Sequence, residues 1–493
     1  MNSPVEIPYR SFIHIDRESV TAIYLQIANQ FIQAIASGYL KAGTKILGSR
    51  SLSVLLDVHR NTISAAYDEL FAQGWIDIKP NKGSFIAAVL PEVKFKKIDF
   101  KTYPKQTGFS FKKSILLDNP FELSSCDFAF NDGSPDIRLT QIDDLSRIYS
   151  SNLKRKSNRS KMGYNQEGSE YFKEQLSHYL QLSRGLQIST DNLLITRSVE
   201  MSLYIISEIL LQKDDIVVVG ELSYFSANMI FQKSGSKIMT IPVDEEGINT
   251  RVLEQLCQST SIRMLYLTPH QHYPTTVSLS AQRRMEVLQL AKKYGFILLE
   301  DDHTYDFQYD KQPLMPLASN DQDGMVIYVG SFGQSLAPGF RTGFIVAPSN
   351  LMIEMRKHLG IIDRQGDILM ELALGDMIEE GAIHRHLKKS LKIYRERRDY
   401  LAALLTTELA GEIEFQLPSG GLAIWIEWKQ PINLMKLSQL AYKNNLFIPR
   451  TLLYQMKNIT AMRIGFGHLN FDEMRKAISI LKISLKKLKE IND

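Results

Sequence analysis

The sequence predicts an α/β chain in two parts: a small helical head with a two-stranded wing, then a body built on a mainly parallel sheet. Three observations lead to this fold class. The chain has 493 residues, which exceeds the roughly 250–300 residues at which single cores stop growing. Three helical patterns and two short strands open the chain. Apolar strands then alternate with amphipathic helices, as they do in parallel sheets.

The head is predicted to contain three helices. The first runs from Tyr24 with apolar residues at helical spacing and ends at Gly38, a glycine cap. The second covers residues 50–56 and the third residues 61–73. Residues 75–78 and 84–86 then predict two strands joined by a tight turn at residues 80–83. Three helices followed by a wing indicate a winged helix-turn-helix.

Four segments of the head carry a resemblance to a family of DNA-binding regulators. They are Gly38-Tyr39-Leu40-x-x-Gly43, Ser49-Arg50-x-Leu52-Ser53, Val58-x-Arg60-Asn61-Thr62-Ile63 and Gly74-Trp75-Ile76. In order and spacing they resemble the GntR pattern, from which Leu47 departs because the family has proline there. The resemblance implies that the third helix enters the major groove of duplex DNA.

The resemblance also names the residues expected to touch DNA. Arg60 and Thr62 would reach base edges or phosphates from the start of the third helix, with Asn61 between them. Arg50 and the Lys82-Gly83 turn would hold the DNA backbone. Each of these residues taken alone also fits a solvated surface position.

A basic linker is predicted between head and body. Residues 89–125 lack clear periodicity and contain more lysines than acidic residues, the lysines being Lys94, Lys96, Lys97, Lys101, Lys105, Lys112 and Lys113. Two interpretations stay open, a passive tether and a segment that lies along DNA phosphates. The predicted domains are therefore a winged helix-turn-helix at 1–88, the linker at 89–125 and the body at 126–493.

The composition argues against a disulfide-rich, metal-binding, membrane-spanning or secreted protein. Two cysteines, Cys126 and Cys257, cannot form a disulfide framework, and no Cys/His spacing suggests a metal site. No apolar run approaches the roughly 20 residues of a membrane span, and no signal peptide is visible. We expect a cytoplasmic protein without a membrane partner. The net charge of +4 is too small to indicate nucleic acid by itself.

Five apolar runs predict the strands of the body sheet, with a smaller C-terminal α+β part after them. The runs lie at residues 193–196, 216–219, 264–267, 296–299 and 326–329. The segment Ser331-Phe332-Gly333-Gln334-Ser335-Leu336-Ala337-Pro338-Gly339-Phe340-Arg341 follows the last run. It resembles the loop by which fold-type I aminotransferases hold pyridoxal phosphate, Ser-Phe-Ser-Lys-x-Leu-x-Pro-Gly-x-Arg.

Glutamine stands at position 334, where that loop has lysine. The lysine amine forms the Schiff base with the cofactor and moves the substrate proton, which a carboxamide cannot do. The resemblance therefore implies a body without covalent cofactor and without transaminase activity. With the head, it places the chain in the MocR-like branch of the GntR family, an assignment that covers almost the whole chain.

The same resemblance assigns the other pocket positions. Asp301 matches the carboxylate that pairs with the pyridine nitrogen, and His303 stands where the family has a tyrosine. Tyr224 would cover the cofactor ring, Ser331 and Arg341 would bind an anion, and Arg463 would grip an effector carboxylate. Simpler roles stay open: Asp301 as a strand-end ion pair, Arg463 as a structural ion pair and Tyr224 as a core residue.

Several pocket positions depart from the family pattern at once. The first phosphate-binding turn, Ser/Thr-Gly-Ala-Gln-Gln in the family, reads Arg197-Ser198-Val199-Glu200-Met201. Losing its glycine hinders the approach of backbone amides to a phosphate, and Glu200 brings a carboxylate. Gly333 replaces a serine and Thr276 a glycine. His270 and His272 stand in a drifted segment, and we expect neither to bind metal.

These features predict a sequence-specific transcriptional regulator that binds double-stranded operator DNA. Its body would serve as the effector sensor and as the scaffold of a homodimer. Two alternatives remain: an active pyridoxal-phosphate aminotransferase that carries a DNA-binding head, and a pocket that holds pyridoxal phosphate or a related amine non-covalently.

Overall fold

The chain divides into two compact units, Met1–Lys112 and Lys113–Asp493, called here the head and the body. The structure is a computed structural model and describes residues 7–80, 82–91, 105–118, 122–163, 168–310, 314–364 and 366–492. Four lysines of the predicted linker, Lys94, Lys96, Lys97 and Lys101, lie outside the described residues, as does Asn81 of the predicted turn.

Three helices and a two-stranded wing form the head, as predicted. Its elements are α1 (Ile23–Ala36), α2 (Ser49–Leu56), α3 (Arg60–Ala72), β1 (Ile76–Lys79) and β2 (Gly83–Ile86). The buried residues of α1 and α3, among them Phe31 and Ile63, pack with Leu52 of α2 and with Ile86 of the wing in one core. A packed core of this kind fixes the direction in which α3 presents its first turn.

The strands of the body form one large sheet and several smaller ones. They are β3 (Phe128–Ala129), β4 (Leu193–Thr196), β5 (Ile216–Gly220), β6 (Lys237–Ile241), β7 (Val243–Asp244), β8 (Gly247–Ile248), β9 (Met264–Leu267), β10 (Ile297–Asp301), β11 (Val326–Ser331), β12 (Gly343–Val346), β13 (Ile413–Phe415), β14 (Ala423–Trp428), β15 (Leu446–Phe447), β16 (Leu453–Gln455) and β17 (Thr460–Gly465). The five runs predicted as strands are β4, β5, β9, β10 and β11.

Helices cover the sheets of the body. They are α4 (Ile142–Lys154), α5 (Glu170–Arg184), α6 (Val199–Leu210), α7 (Phe225–Lys233), α8 (Thr250–Ser259), α9 (Ala281–Tyr294), α10 (Leu317–Asn320), α11 (Phe332–Ser335), α12 (Ser349–Ile362), α13 (Ile368–Glu379), α14 (Ala382–Glu408), α15 (Leu434–Lys443) and α16 (Phe471–Asn492). None of the helices within the described ranges has the length and apolar character that a bilayer crossing requires.

The large sheet has the strand order β4-β12-β11-β10-β9-β5-β6, and β12 alone runs antiparallel to its neighbours. Val, Ile and Leu fill its strands, as expected of a sheet buried on both faces. Because the carboxyl ends of parallel strands meet at one edge, the segments after β4, β5, β9, β10 and β11 gather there. Ligands of open α/β sheets bind at this edge.

The C-terminal part is an antiparallel sheet of order β13-β14-β17-β16, packed against α14, α15 and α16. Apolar residues on one side of α16 are buried in this core, namely Met474, Ile478, Leu481, Leu485 and Leu488. The fold class predicted from the sequence is confirmed in both parts.

Candidate functional site

Two places in the chain collect the residues singled out from the sequence: the first turn of α3 with the wing in the head, and a cavity in the body. In the head, Arg60 and Asn61 are exposed on the first turn of α3 and Thr62 is half-buried. The side chain of His59 caps this helix, since its Nδ1 accepts the backbone N–H of Asn61 at 3.2 Å. The cap holds the start of α3 in a defined conformation.

The wing presents its cations beside an aromatic ring. Lys82 and Gly83 are exposed at its turn, where Gly83 has a φ of +102° that favours glycine. The ammonium groups of Lys45 and Lys79 lie 5.9 and 5.2 Å from the ring centroid of Phe85. Lys45 precedes α2 in the chain, so no local pattern linked it to the wing. An isolated β-bridge between Lys45 and Phe85 brings it there.

A cavity of about 230 Å³ lies at the carboxyl edge of the large sheet. Its lining includes all the body residues predicted from the sequence, namely Tyr224, Asp301, His303, Ser331, Gln334, Arg341 and Arg463. The strand register explains part of this convergence. Ser331 is the register partner of Gly343, and Gly343 that of Thr196, so the segments that contain Arg341 and Ser198 lie next to Ser331.

Asp301 is buried at the end of β10 and has partners on both carboxylate oxygens. Tyr266 Oη donates to its Oδ2 at 2.7 Å, and His303 Nδ1 lies 3.4 Å from its Oδ1. Burial opposes protonation of His303, but the Asp301 carboxylate outweighs it and raises the pKa of the imidazole above its ordinary value. Asp301 therefore favours the protonated form of His303.

One end of the cavity combines anion-binding features. The backbone N–H groups at the start of α6 point there, and Ser198 Oγ caps that helix by accepting the Met201 N–H at 3.3 Å. Ser331 Oγ accepts the Gly333 N–H at 3.0 Å. The guanidinium of Arg341 has no hydrogen-bond or ion-pair partner among the described residues, and its backbone is held at a φ of +48°, a strained value for arginine.

Carboxylates counter this anion-binding character at the same end. Arg197 Nε lies 2.6 Å from Asp363 Oδ2, and its Nη1 lies 3.6 Å from Asp367. Glu200 lines the cavity and accepts a hydrogen bond from Tyr224 Oη at 3.1 Å. Arg197 is therefore largely neutralised within the protein.

Arg463 is buried on β17 with three neighbours. Its Nε donates to Asp132 Oδ1 at 2.7 Å, its Nη1 donates to the Pro274 carbonyl at 2.8 Å, and its guanidinium stacks over the Tyr273 ring at 5.0 Å. Nη2 keeps no hydrogen-bond partner within the described part of the chain. Both roles considered for Arg463, ion pair and ligand contact, are compatible with this geometry.

Gln334 lies on the short helix α11, and its carboxamide has no hydrogen bond to a described residue. The next residue is held firmly: Ser335 Oγ donates to Asp306 Oδ2 at 2.5 Å, and His386 Nε2 lies 3.1 Å from the Ser335 carbonyl oxygen. The backbone that carries Gln334 is thus fixed while its side chain is free to meet a ligand.

His270 and His272, which stand where the family pattern is not kept, are buried, and each contacts another side chain of the protein. His270 Nδ1 lies 3.0 Å from Asp302 Oδ1, and His272 Nδ1 lies 3.0 Å from Thr275 Oγ1. No group of three metal-ligating side chains occurs among the described residues.

Sequence reasoning missed Asp132, which lines the cavity and pairs with Arg463. Asp132 follows β3 and precedes Gly133 in a loop that carries turn residues but no chemical motif. Only its position beside Arg463 marks it as part of the site. Tyr273, whose ring lies against the Arg463 guanidinium, was not assigned a role from the sequence either.

Comparison with known proteins agrees with this fold. Residues 121–481 match the family model "Aminotransferase class I and II", and residues 23–86 match "Bacterial regulatory proteins, gntR family". Kynurenine aminotransferase from Pyrococcus horikoshii is similar in structure, with a TM-score of 0.67 and 24% identity over 73% of this chain and 91% of that one.

Two relatives that align with most of this chain are regulators by name. The probable rhizopine catabolism regulatory protein MocR of Rhizobium meliloti is 25% identical over 83% of this chain and 82% of its own length. The uncharacterized HTH-type transcriptional regulator YisV of Bacillus subtilis is 24% identical over 96% of this chain and 98% of its own. The chain belongs to the aminotransferase class I and II family and carries at its N-terminus the helix-turn-helix domain of the bacterial GntR regulators.

Proposed function

We propose that this protein is a sequence-specific transcriptional regulator whose aminotransferase-like body senses a small-molecule effector and has no transaminase activity. The observation that carries the proposal is the cavity lining: it keeps the aromatic and anion-binding positions of the fold but contains Gln334 and no lysine. A carboxamide is not a nucleophile at neutral pH, so the residue needed for covalent catalysis is missing.

The residues present do not fit covalently bound pyridoxal phosphate, which the fold family implies. Gln334 offers no amine. Asp301 already accepts a hydrogen bond from Tyr266 and faces the protonation-prone His303, so a pyridinium nitrogen would compete with existing partners. The ring could bind as it does in an aminotransferase only if the Asp301 carboxylate were shared with these partners.

The charges at the anion-binding end of the cavity also disfavour pyridoxal phosphate. Two guanidinium groups, Arg197 and Arg341, stand against the carboxylates of Glu200, Asp363 and Asp367. Because Asp363 and Asp367 pair with Arg197 and Glu200 lines the cavity, a phosphate ester with two negative charges would meet little net positive charge beyond Arg341 and the partial charge at the start of α6. The end of the cavity therefore favours a ligand with less negative charge than a phosphate ester.

A second candidate has support in the same cavity. Arg341, Ser331 and the start of α6 could hold pyridoxal phosphate or a related amine without a covalent bond, with Tyr224 against its ring. Under this alternative the body would sense the cofactor itself. The two candidates differ in the ligand, and they share the regulator's function and the lack of transamination.

We further propose that the head reads the operator through Arg60, Asn61 and Thr62, with Arg50, Lys82 and Gly83 on the DNA backbone. All except the half-buried Thr62 are exposed. A homodimer would present two heads to two half-sites, and the domains would follow the predicted bounds 1–88, 89–125 and 126–493. Regulators of this kind bind palindromic sites whose spacing reflects the protein's two-fold symmetry.

Selection of bound fragments from genomic DNA tests the regulator directly. We expect enrichment of a defined sequence element, together with no amino-group transfer from a panel of amino acids. Failure to enrich any element, or steady transamination with added pyridoxal phosphate, would contradict the proposal. Equilibrium dialysis with pyridoxal phosphate then separates the two candidates for the ligand.

A further inference from the structure

The first half of α14 carries a cluster of positive charge that neither the cavity nor the head explains. Residues 382–395 contain five Lys and Arg residues and no Asp or Glu. We call these five the α14 basic stripe: Arg385, Lys388, Lys389, Lys392 and Arg395. All five are exposed, whereas the opposite side of the helix buries residues such as Leu387 and Tyr394.

The arrangement does not serve the stability of the helix. Cations near a helix N-terminus interact unfavourably with the helix dipole. Arg385 and Lys389, like Lys388 and Lys392, are like charges four residues apart, and each such pair destabilises a helix by a few tenths of a kcal/mol. These charges therefore do not stabilise the helix that carries them.

The three lysines in the middle of the stripe are not compensated inside the protein. Arg385 Nη1 donates to the Glu380 carbonyl at 2.7 Å, and Arg395 Nη2 lies 3.3 Å from Asp310 Oδ1. Lys388, Lys389 and Lys392 have neither an ion pair nor a hydrogen bond to any residue that the structure describes.

The acidic residues just before the helix are already engaged. Glu379 accepts a hydrogen bond from Tyr171 Oη at 2.8 Å, and Glu380 lies 3.0 Å from Arg147 Nη2. Glu396, the first acidic residue after the stripe, is exposed four residues beyond Lys392. The three lysines therefore leave an excess of positive charge on this face of α14, which attracts an external anion.

We propose that the α14 basic stripe is a second DNA-contacting surface, which binds the phosphates of duplex DNA without reading its sequence. This inference rests on the proposed function. From Arg385 to Arg395 the stripe spans about 15 Å at roughly 1.5 Å per residue, a length over which duplex DNA carries on the order of nine phosphates, one per 1.7 Å of its axis.

The composition of the stripe favours DNA over a protein or a membrane. No large hydrophobic side chain is exposed on the described residues of α14. Stable protein interfaces need an apolar core, and helices that bind membrane surfaces carry large apolar side chains. A surface of cations without apolar residues is instead what the DNA backbone requires.

The test compares two variants of the full chain on a selected operator with its native flanks. In one, Lys388, Lys389 and Lys392 are replaced by Gln. In the matched control, Lys436, Lys443 and Lys457 are replaced by Gln. These three are exposed on other segments of the body and also lack partners among the described side chains, so the change in net charge is the same.

We expect the stripe variant to bind more weakly and with a shallower dependence of log K on log salt, the slope falling by about 0.9 for each phosphate that the variant no longer neutralises. The ratio of affinities for operator and scrambled DNA should stay unchanged, because binding to phosphates carries no sequence information. The control should behave like the wild type. Equal melting temperatures would establish that all three proteins are folded.

Unchanged affinity and slope in the stripe variant would overturn the inference, as would an equal weakening in the control. In either case the proposed function survives if the wild type binds its operator. If the wild type binds no DNA at all, both fail together. A stripe variant that keeps its DNA affinity but no longer binds anionic vesicles would assign the stripe to a membrane surface and also overturn the inference.

Discussion

Arg463 and Asp132 form an ion pair in the wall of the cavity, with 2.7 Å between Nε and Oδ1. The two residues are 331 positions apart in the chain. The pair joins β17 of the C-terminal sheet to the loop after β3. An effector carboxylate that binds Arg463 must therefore use Nη2 or displace Asp132.

Replacing Arg463 with Met should lower the free energy of unfolding, because Asp132 and the Pro274 carbonyl lose their donor. The Asp132 side chain is 36% exposed, so we expect a decrease of about 1–3 kcal/mol, less than for a fully buried pair. Urea denaturation measures it. Adding Asp132→Asn should recover part of the stability, and an unchanged midpoint in the single variant would rule out a stabilising role for the pair.

Arg60→Ala should weaken operator binding by roughly 1–3 kcal/mol and relax specificity at one base pair, if the guanidinium reads a base. Fluorescence anisotropy with the selected operator and single-base variants measures both effects. Lys443→Ala removes one positive charge from the body and serves as the control. Equal affinities for wild type and Arg60→Ala would remove Arg60 from the interface.

Gln334→Lys tests whether the missing amine alone separates this cavity from an aminotransferase. We expect no borohydride-trapped pyridoxyl adduct on the peptide that contains residue 334 at micromolar cofactor, because Glu200, Asp363 and Asp367 disfavour the phosphate. Peptide mass analysis measures it, with surface lysines as an internal reference. A stable adduct in the variant would refute the electrostatic argument, and an adduct on the wild-type peptide would refute the assignment of Gln334.

His272 should make the protein less stable in acid. Burial, with Arg463 nearby, lowers its pKa from 6.5 to about 4. Between these two values the unfolded chain binds a proton that the folded chain does not, so stability is retained above pH 6.5 and falls as the pH drops towards 4. The full effect is about 3 kcal/mol.

The measurement for His272 compares the unfolding free energies of wild type and His272→Gln across that pH range. The difference between them should grow in favour of the variant as the pH falls, because glutamine does not titrate. A constant difference would mean that His272 is protonated in the folded protein or does not titrate in this range.

Local patterns predicted the fold class of this chain and many of its elements. Apolar residues at helical spacing predicted α1 and α3, and short apolar runs predicted β4 and β9 within a residue, because periodicity records which face of an element is buried. The loop from Ser331 to Arg341 was recognisable because its residue types and spacing are contiguous.

Only the tertiary structure decided which side chains compensate one another. Asp132 reaches Arg463, Asp363 and Asp367 reach Arg197, and Asp301 meets Tyr266, although each pair is far apart in sequence. No local pattern encodes such pairs, since they depend on strand order and on the docking of the C-terminal sheet. The sequence by itself determined the elements and the absence of an amine at position 334, whereas packing decided the charge that a ligand of the cavity would meet.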